Sequence, residues 1–140
     1  MNVRVGTQKD IAFLLEKYSG LKNVMWKNDV NSYLILAEEE NEIMGFAFVF
    51  RRIIPAPLDD CFEDFINAID VLNNKNQGIG TLIVLKIIEN AKLDNSIQVR
   101  AYCEINNIAS HRLWLKNGFG ISPVKMPNGD ICGTFVTYRL

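Results

Sequence analysis

Two clusters in this chain hold residues whose types and spacing suit chemistry. The first is Asn73-Asn74-Lys75-Asn76-Gln77-Gly78-Ile79-Gly80-Thr81, a polar turn between an apolar strand and a long apolar run. A strand, a Gly-x-Gly turn and a helix together present unpaired backbone amides and a positive dipole end to an anion, and the glycines let a phosphate approach. A Rossmann fingerprint would need a third glycine where Ile83 stands, and a Walker loop would need Lys-Ser/Thr where Thr81-Leu82 follows Gly80. Taken alone, the turn also fits a glycine-bearing strand-to-helix connection with no ligand. The second cluster, Asn107-Ile108-Ala109-Ser110-His111-Arg112-Leu113-Trp114-Leu115-Lys116-Asn117-Gly118-Phe119, contains the single histidine and lies one strand beyond the first helix.

The elements around these clusters follow from pattern. Val3 and Val5 flank Arg4 in a short strand, and Thr7-Gln8-Lys9-Asp10 has the form of a capping box that opens a helix bearing Ile11, Phe13, Leu14, Leu15 and Tyr18, with Gly20 as its stop. The connection over 21–32 is irregular, and its Trp26 is read as core. Residues 33–37 and 43–54 predict a hairpin closed by a charged turn over 38–42, and Pro55 and Pro57 end the second strand. Arg51 and Arg52 are read as exposed. A third long strand over 61–72 leads into the first cluster. In the run 81–92, Lys86, Glu89 and Asn90 form one narrow polar stripe, so this segment is a helix packed on a sheet rather than a strand. A strand over 97–103, a helix over 109–116 ended by Asn117-Gly118, and two closing strands complete the order. Helices inserted between strands of a mixed sheet make this an α/β or α+β fold.

Composition narrows the function classes. At 140 residues and 49% hydrophobic, the chain suits a single domain, 1–140, with a substantial core. Its net charge of −1 lacks the basic bias of a nucleic-acid binder, so no nucleic-acid partner is expected. Cys61, Cys103 and Cys132 lie far apart, and one histidine is too little for a zinc cluster, which makes a reduced cytoplasmic setting the expectation. The first residues reach a polar helix start quickly, so no secretory leader is expected there, and no apolar run is long enough to predict a membrane span.

Together the clusters resemble the GNAT superfamily of N-acetyltransferases. Lys75-Asn76-Gln77-Gly78-Ile79-Gly80 is similar to its Arg/Gln-x-x-Gly-x-Gly/Ala signature, and Asn107, Ser110, Trp114 and Gly118-Phe119 stand in register with its second signature. The resemblance is close over 61–119. It implies a GNAT-like mixed, mostly antiparallel sheet of six or seven strands flanked by three or four helices, splayed around acetyl-CoA as acetyl donor. By this resemblance the backbone at Ile69 and Val71 would pair with the pantetheine arm. The amides of Gln77, Gly78, Ile79, Gly80 and Thr81 would hold the pyrophosphate, with Lys75 and Asn76 in the same turn. Asn107 would touch the coenzyme, and Trp114 would sit beside the thioester. A strand amide would stabilise the oxyanion.

Two residues depart from the family pattern. Lys75 keeps a charge but lacks the planar fork of Arg. Trp114 replaces the Tyr that commonly protonates the leaving thiolate, and an indole N–H donates a hydrogen bond without supplying a proton near neutral pH. Tyr102, Cys103, Tyr138 or water could substitute. An attacking amine with a pKa near ~10 must first lose a proton, for which Asp64 and Glu104 are the candidate bases. His111 is expected in a solvent-facing or packing role. The leading expectation is an N-acetyltransferase acting by direct attack of an amine, from a small molecule or a protein, on acetyl-CoA. The alternatives are a non-catalytic acyl-CoA-binding or interaction module with the same fold and a nucleotide-binding domain. The closing strands, as in the family, are a candidate edge for a homodimer.

Overall fold

A computed structural model describes residues 1–18, 31–54, 57, 60–72 and 78–140. The expectations for Gly20, Trp26, Pro55, Lys75, Asn76 and Gln77 lie outside these residues. The elements run β1 (Asn2–Val5), α1 (Gln8–Lys17), β2 (Ser32–Glu39), β3 (Glu42–Ile53), β4 (Phe62–Val71), α2 (Ile79–Leu93), β5 (Gln98–Glu104), α3 (Ile108–Lys116), β6 (Gly120–Lys125) and β7 (Ile131–Arg139). The strands form one sheet in the order β1-β2-β3-β4-β5-β7-β6, antiparallel throughout except where β4 meets β5. Seven strands and three helices, among the described residues, match the expected mixed and mostly antiparallel architecture.

Both faces of the sheet's centre are covered. Leu34 and Leu36 of β2 and Phe46 and Phe48 of β3 pack with Ile11 and Leu14 of α1. Ile35, Ala47, Val49 and Ile66 meet Ile83, Val84 and Ile87 of α2 on the opposite face. This explains why 34–37 reads as an unbroken apolar run: neighbouring side chains point to opposite faces, and each face has a helix to bury them. Each fully buried Leu, Ile or Phe contributes about 1.5–3 kcal/mol relative to exposure. The polar stripe on α2 is present, with Lys86 Nζ 3.3 Å from Glu89, although Leu82 and Leu85 are also exposed.

The helix starts are set locally. Thr7 accepts from Asp10 N while Asp10 accepts from Thr7 N at 2.7 Å, so the predicted capping box forms. The acidic run is not a turn throughout. β2 extends to Glu39 and β3 restarts at Glu42, leaving Glu40 and Asn41, both at positive φ, as a two-residue reversal. Glu38 lies within the strand, paired with Asn2 and Ile43, and Arg4 Nε meets its carboxylate at 2.8 Å. No helix among the described residues is long and apolar enough to cross a membrane.

Candidate active site

The site begins at a break in sheet pairing. β4 and β5 run parallel in register only from Glu63↔Gln98 to Ile66↔Ala101. At that point β4 carries one extra residue relative to β3, since Phe48 pairs with Ala68 and Val49 with Ile66, leaving Asn67 as a bulge. A bulge bends its strand and increases its twist. Ile66 and Ile69 consequently both pack toward α2, although residues three apart on a regular strand face opposite ways. Beyond Ile66 the two strands part. A cavity of about 280 Å³ opens between them, walled by Asn67, Ala68 and Ile69 of β4 and by Tyr102, Cys103 and Glu104 of β5.

A second hollow, of about 600 Å³, continues from the first along Ile69 and Val71 to the start of α2, with Arg112 and Lys116 of α3 on its opposite side. Gly78 caps α2 at φ +75 with no side-chain hydrogen bond, and a Cβ there would meet nothing within 4 Å. Its role is conformational, because the left-handed region disfavours other residues. Gly80 serves a different purpose: a Cβ there would lie 3.3 Å from Leu113 Cδ1, so its lack of a side chain allows α2 and α3 to approach. The first turn of α2 contains no acidic residue, and helix N-terminal amides lack intrahelical partners, so this end of the hollow suits an anion. With the two cations on the facing helix, the residues fit a diphosphate-bearing ligand.

α3 forms the common wall. Asn107 caps it, accepting from Ser110 N at 3.1 Å, and both Asn107 and Ser110 line the two hollows. Asn117 Nδ2 donates to Leu113 O at 2.9 Å and reaches Thr81 Oγ1 at 3.4 Å, tying the end of α3 to the start of α2. Trp114 is 2% exposed, packs at a tilt against Phe119 with ring centroids 5.0 Å apart and lines the cleft between the strands. Burial, and then the nearby Glu104 charge, push the Cys103 thiol up, which keeps it protonated.

The structure brings most of the expected residues together. Ile69, Val71, Gly78, Ile79, Gly80, Thr81, Asn107, Trp114 and Glu104 all line the connected hollows. The two candidate bases separate. Glu104 is exposed at the cleft, whereas the Asp64 carboxylate is 0% exposed and surrounded by Tyr33 Oη at 2.6 Å, Ser96 Oγ at 2.6 Å and Arg51 Nη2 at 2.8 Å. Burial and Asp64 push the Tyr33 phenol far above its ordinary value, so it remains a donor to that carboxylate. Arg51, largely buried, also pairs with Asp94 at 2.7 Å, whereas Arg52 is exposed as expected and pairs with Glu63 at 2.7 Å. Tyr138 packs against Phe119, away from the cleft-lining residues. Sequence reasoning missed Arg112 and Lys116, whose i, i+4 spacing was the available signal for a shared helix face. It also missed Asn67 and Ala68, whose exposure to the cleft depends on the bulge.

Comparison with known proteins agrees with this geometry. No curated protein matches the chain in sequence. Among solved structures, the ribosomal-protein-alanine N-acetyltransferase of Brucella melitensis is 19% identical, with a TM-score of 0.74 and 100% of each chain covered. A GNAT family acetyltransferase of Elizabethkingia anophelis, solved with acetyl-CoA bound, is 21% identical, with a TM-score of 0.69 over 99% of this chain and 97% of that one. A Bacillus subtilis acetyltransferase in complex with CoA is 18% identical, with a TM-score of 0.71 over 99% and 98%. The sequence profile of the Acetyltransferase (GNAT) family matches residues 9–119, and the chain belongs to that family.

Proposed function

We propose that this protein is an N-acetyltransferase in which an acceptor amine attacks the thioester of acetyl-CoA directly. The observation that carries the reading is the continuity of the cleft between β4 and β5 with the anion-suited hollow at the start of α2. Acetyl-CoA, the donor found in family structures such as that from Elizabethkingia anophelis, supplies an activated acetyl group. The amides of Ile79, Gly80 and Thr81 and the charges of Arg112 and Lys116 hold the phosphates. Beyond Ile66, the β4 edge that faces the cleft has no partner strand among the described residues, leaving backbone groups free for an amide-bearing arm. The same edge offers an N–H to charge developing on the carbonyl oxygen.

Glu104 is the base that accepts the amine proton, directly or through one water, because its carboxylate is exposed at the cleft. Trp114 shapes the inner wall, and its indole N–H donates without giving up its proton. A thiolate with a conjugate-acid pKa near ~8.5 leaves without an obligatory acid, and Tyr102 at the rim is available to shorten that step. The amine acceptor belongs to one of two classes, a small molecule or a protein amino group, the latter being the class named for the Brucella melitensis neighbour.

A second reading rests on Trp114: a non-catalytic acyl-CoA-binding module that has lost the phenol. Thiol release from acetyl-CoA across an amine and peptide panel, paired with a thermal-shift titration by coenzyme A, separates the two. Turnover with at least one amine supports the enzyme. Binding without turnover supports the module, and stabilisation by ATP or NAD in preference to coenzyme A overturns both.

A further inference from the structure

The geometry points to His111 as a positioning residue that fixes the first turn of α3, and with it the shared wall of both hollows, against β7. Its Nδ1 lies 2.8 Å from the Asn107 carbonyl oxygen, and its Nε2 lies 2.8 Å from Thr134 Oγ1. A carbonyl oxygen only accepts, so Nδ1 carries the proton. In the neutral ring Nε2 then accepts from the Thr134 hydroxyl. The tautomer therefore follows from the backbone, and the ring is a strut with a donor at one end and an acceptor at the other.

The Cys103 sulfur lies 3.3 Å from the same Nδ1, which invites reading the pair as an activated nucleophile. The hydrogen-bond geometry opposes that. The nitrogen nearest the thiol already holds a proton for Asn107 O, and the Cys103 sulfur has the carbonyls of Glu104 and Asn107 at 3.8 Å as acceptors of its own proton. Cys103 is packing for the strut.

The Asn107 carbonyl also accepts the helical bond from His111 N at 3.1 Å, while the Asn107 side chain caps Ser110 N. Asn107 is thus held at both ends. Asn107 and Ser110, with Ile69, are the residues common to both hollows, so a shift of this turn moves the donor cleft and the phosphate groove together. Thr134 is buried on β7, which pairs Thr134 with Cys103 of β5 across the sheet. The strut therefore references the helix to β7, the partner of the strand β5 that walls the cleft.

This inference rests on the acetyl-CoA reading, and the experiment separates the two. Wild type, His111→Ala, His111→Asn, Thr134→Val and the Ala/Val double variant are compared by calorimetric titration with coenzyme A, by kcat and KM for acetyl-CoA, and by amide hydrogen exchange over 108–111. Asn places an amide near the Nδ1 position but has no atom at the Nε2 position, so it keeps the donor to Asn107 O and, like Thr134→Val, removes the tie to β7. The expected result is about a tenfold weaker coenzyme A dissociation constant for His111→Ala with faster exchange in the first turn of α3. His111→Asn and Thr134→Val are expected to weaken coenzyme A binding by similar factors, neither more than His111→Ala, and the double variant should be no worse than His111→Ala, as for two members of one unit. Unchanged affinity and exchange in His111→Ala, whatever its melting temperature, overturns the inference, as do additive losses in the double variant. If His111→Ala does not fold, the affinities of His111→Asn and Thr134→Val decide: losses in Thr134→Val with near-normal exchange across 108–111 overturn it. Failure of wild type to bind coenzyme A overturns the acetyl-CoA reading itself and this inference with it.

Discussion

The two halves of β4 solve opposite problems with the same backbone. From Phe62 to Ile66 the strand is paired on both sides, and its carboxylates are buried among donors. Glu63, 1% exposed, meets Arg52, Arg100 and Gln98; burial pushes its carboxyl up, but hydrogen bonds from Gln98 and Arg52 and the charge of Arg100 outweigh this and hold it below its ordinary value. Asp64 is held on the other face by Tyr33, Arg51 and Ser96. From Asn67 to Val71 the strand keeps its β3 partner and gives up its β5 partner. Polar groups satisfied within the protein hold the sheet together, and those beyond Ile66 face the cleft. The surroundings of a strand carboxylate are therefore set by whether it lies where β4 and β5 pair, as Asp64 does, or where they part, as Glu104 of β5 does.

Four measurements test that division. Asp64→Asn should produce the largest effect, a loss of about 3 kcal/mol in unfolding free energy, because it leaves Arg51 and Tyr33 facing a neutral amide in a buried site. Its kcat per folded molecule should match wild type; a large kcat loss with intact stability would place Asp64 in the chemistry and erase the contrast. Glu104→Gln should do the reverse, lowering kcat by about 10²-fold with an unchanged melting temperature, read by thiol release and differential scanning fluorimetry. Gly80→Val should touch both properties. Its Cβ would press on Leu113, which predicts a loss of about 1–3 kcal/mol and a weaker coenzyme A titration than Gly78→Ala, whose added methyl meets open space but carries the strain of φ +75.

The smallest effect lies far from the cleft. Hydrogen bonding from Arg4 draws the Asp10 carboxyl down from 3.8 to about 2. Since the folded value lies below the unfolded one, the contribution is present in full above about pH 4 and is lost as pH falls toward 2. Asp10→Asn should flatten that part of the acid-unfolding curve and leave coenzyme A titrations at neutral pH unchanged.

The sequence revealed the frame more readily than the cleft. The capping box at Thr7 and the polar stripe of α2 act within a few residues, so they can be read from a linear chain. The motif also led to the start of α2, although the two glycines turn out to act differently, Gly78 through its dihedral and Gly80 through helix packing. Sequence alone could not separate Asp64 from Glu104. Both are strand carboxylates, and only the register of β4 against β3 and β5 shows that one is enclosed and the other faces the opening. Arg51 illustrates the same limit, since its partners Asp64 and Asp94 come from a neighbouring strand and the end of a helix.

The bulge at Asn67 makes the site depend on residue count as well as residue identity. A chain one residue shorter here would make Ile66 and Ala68 consecutive partners of Val49 and Phe48, keeping Ile69 and Val71 toward α2 while removing the bend and added twist of the bulge. The strand would then be free to continue its parallel pairing with β5. Exchanging Asn67 for another side chain leaves the number intact, so a survey of substitutions would pass over the residue, while loss of a single codon would close the opening on which the proposed chemistry depends.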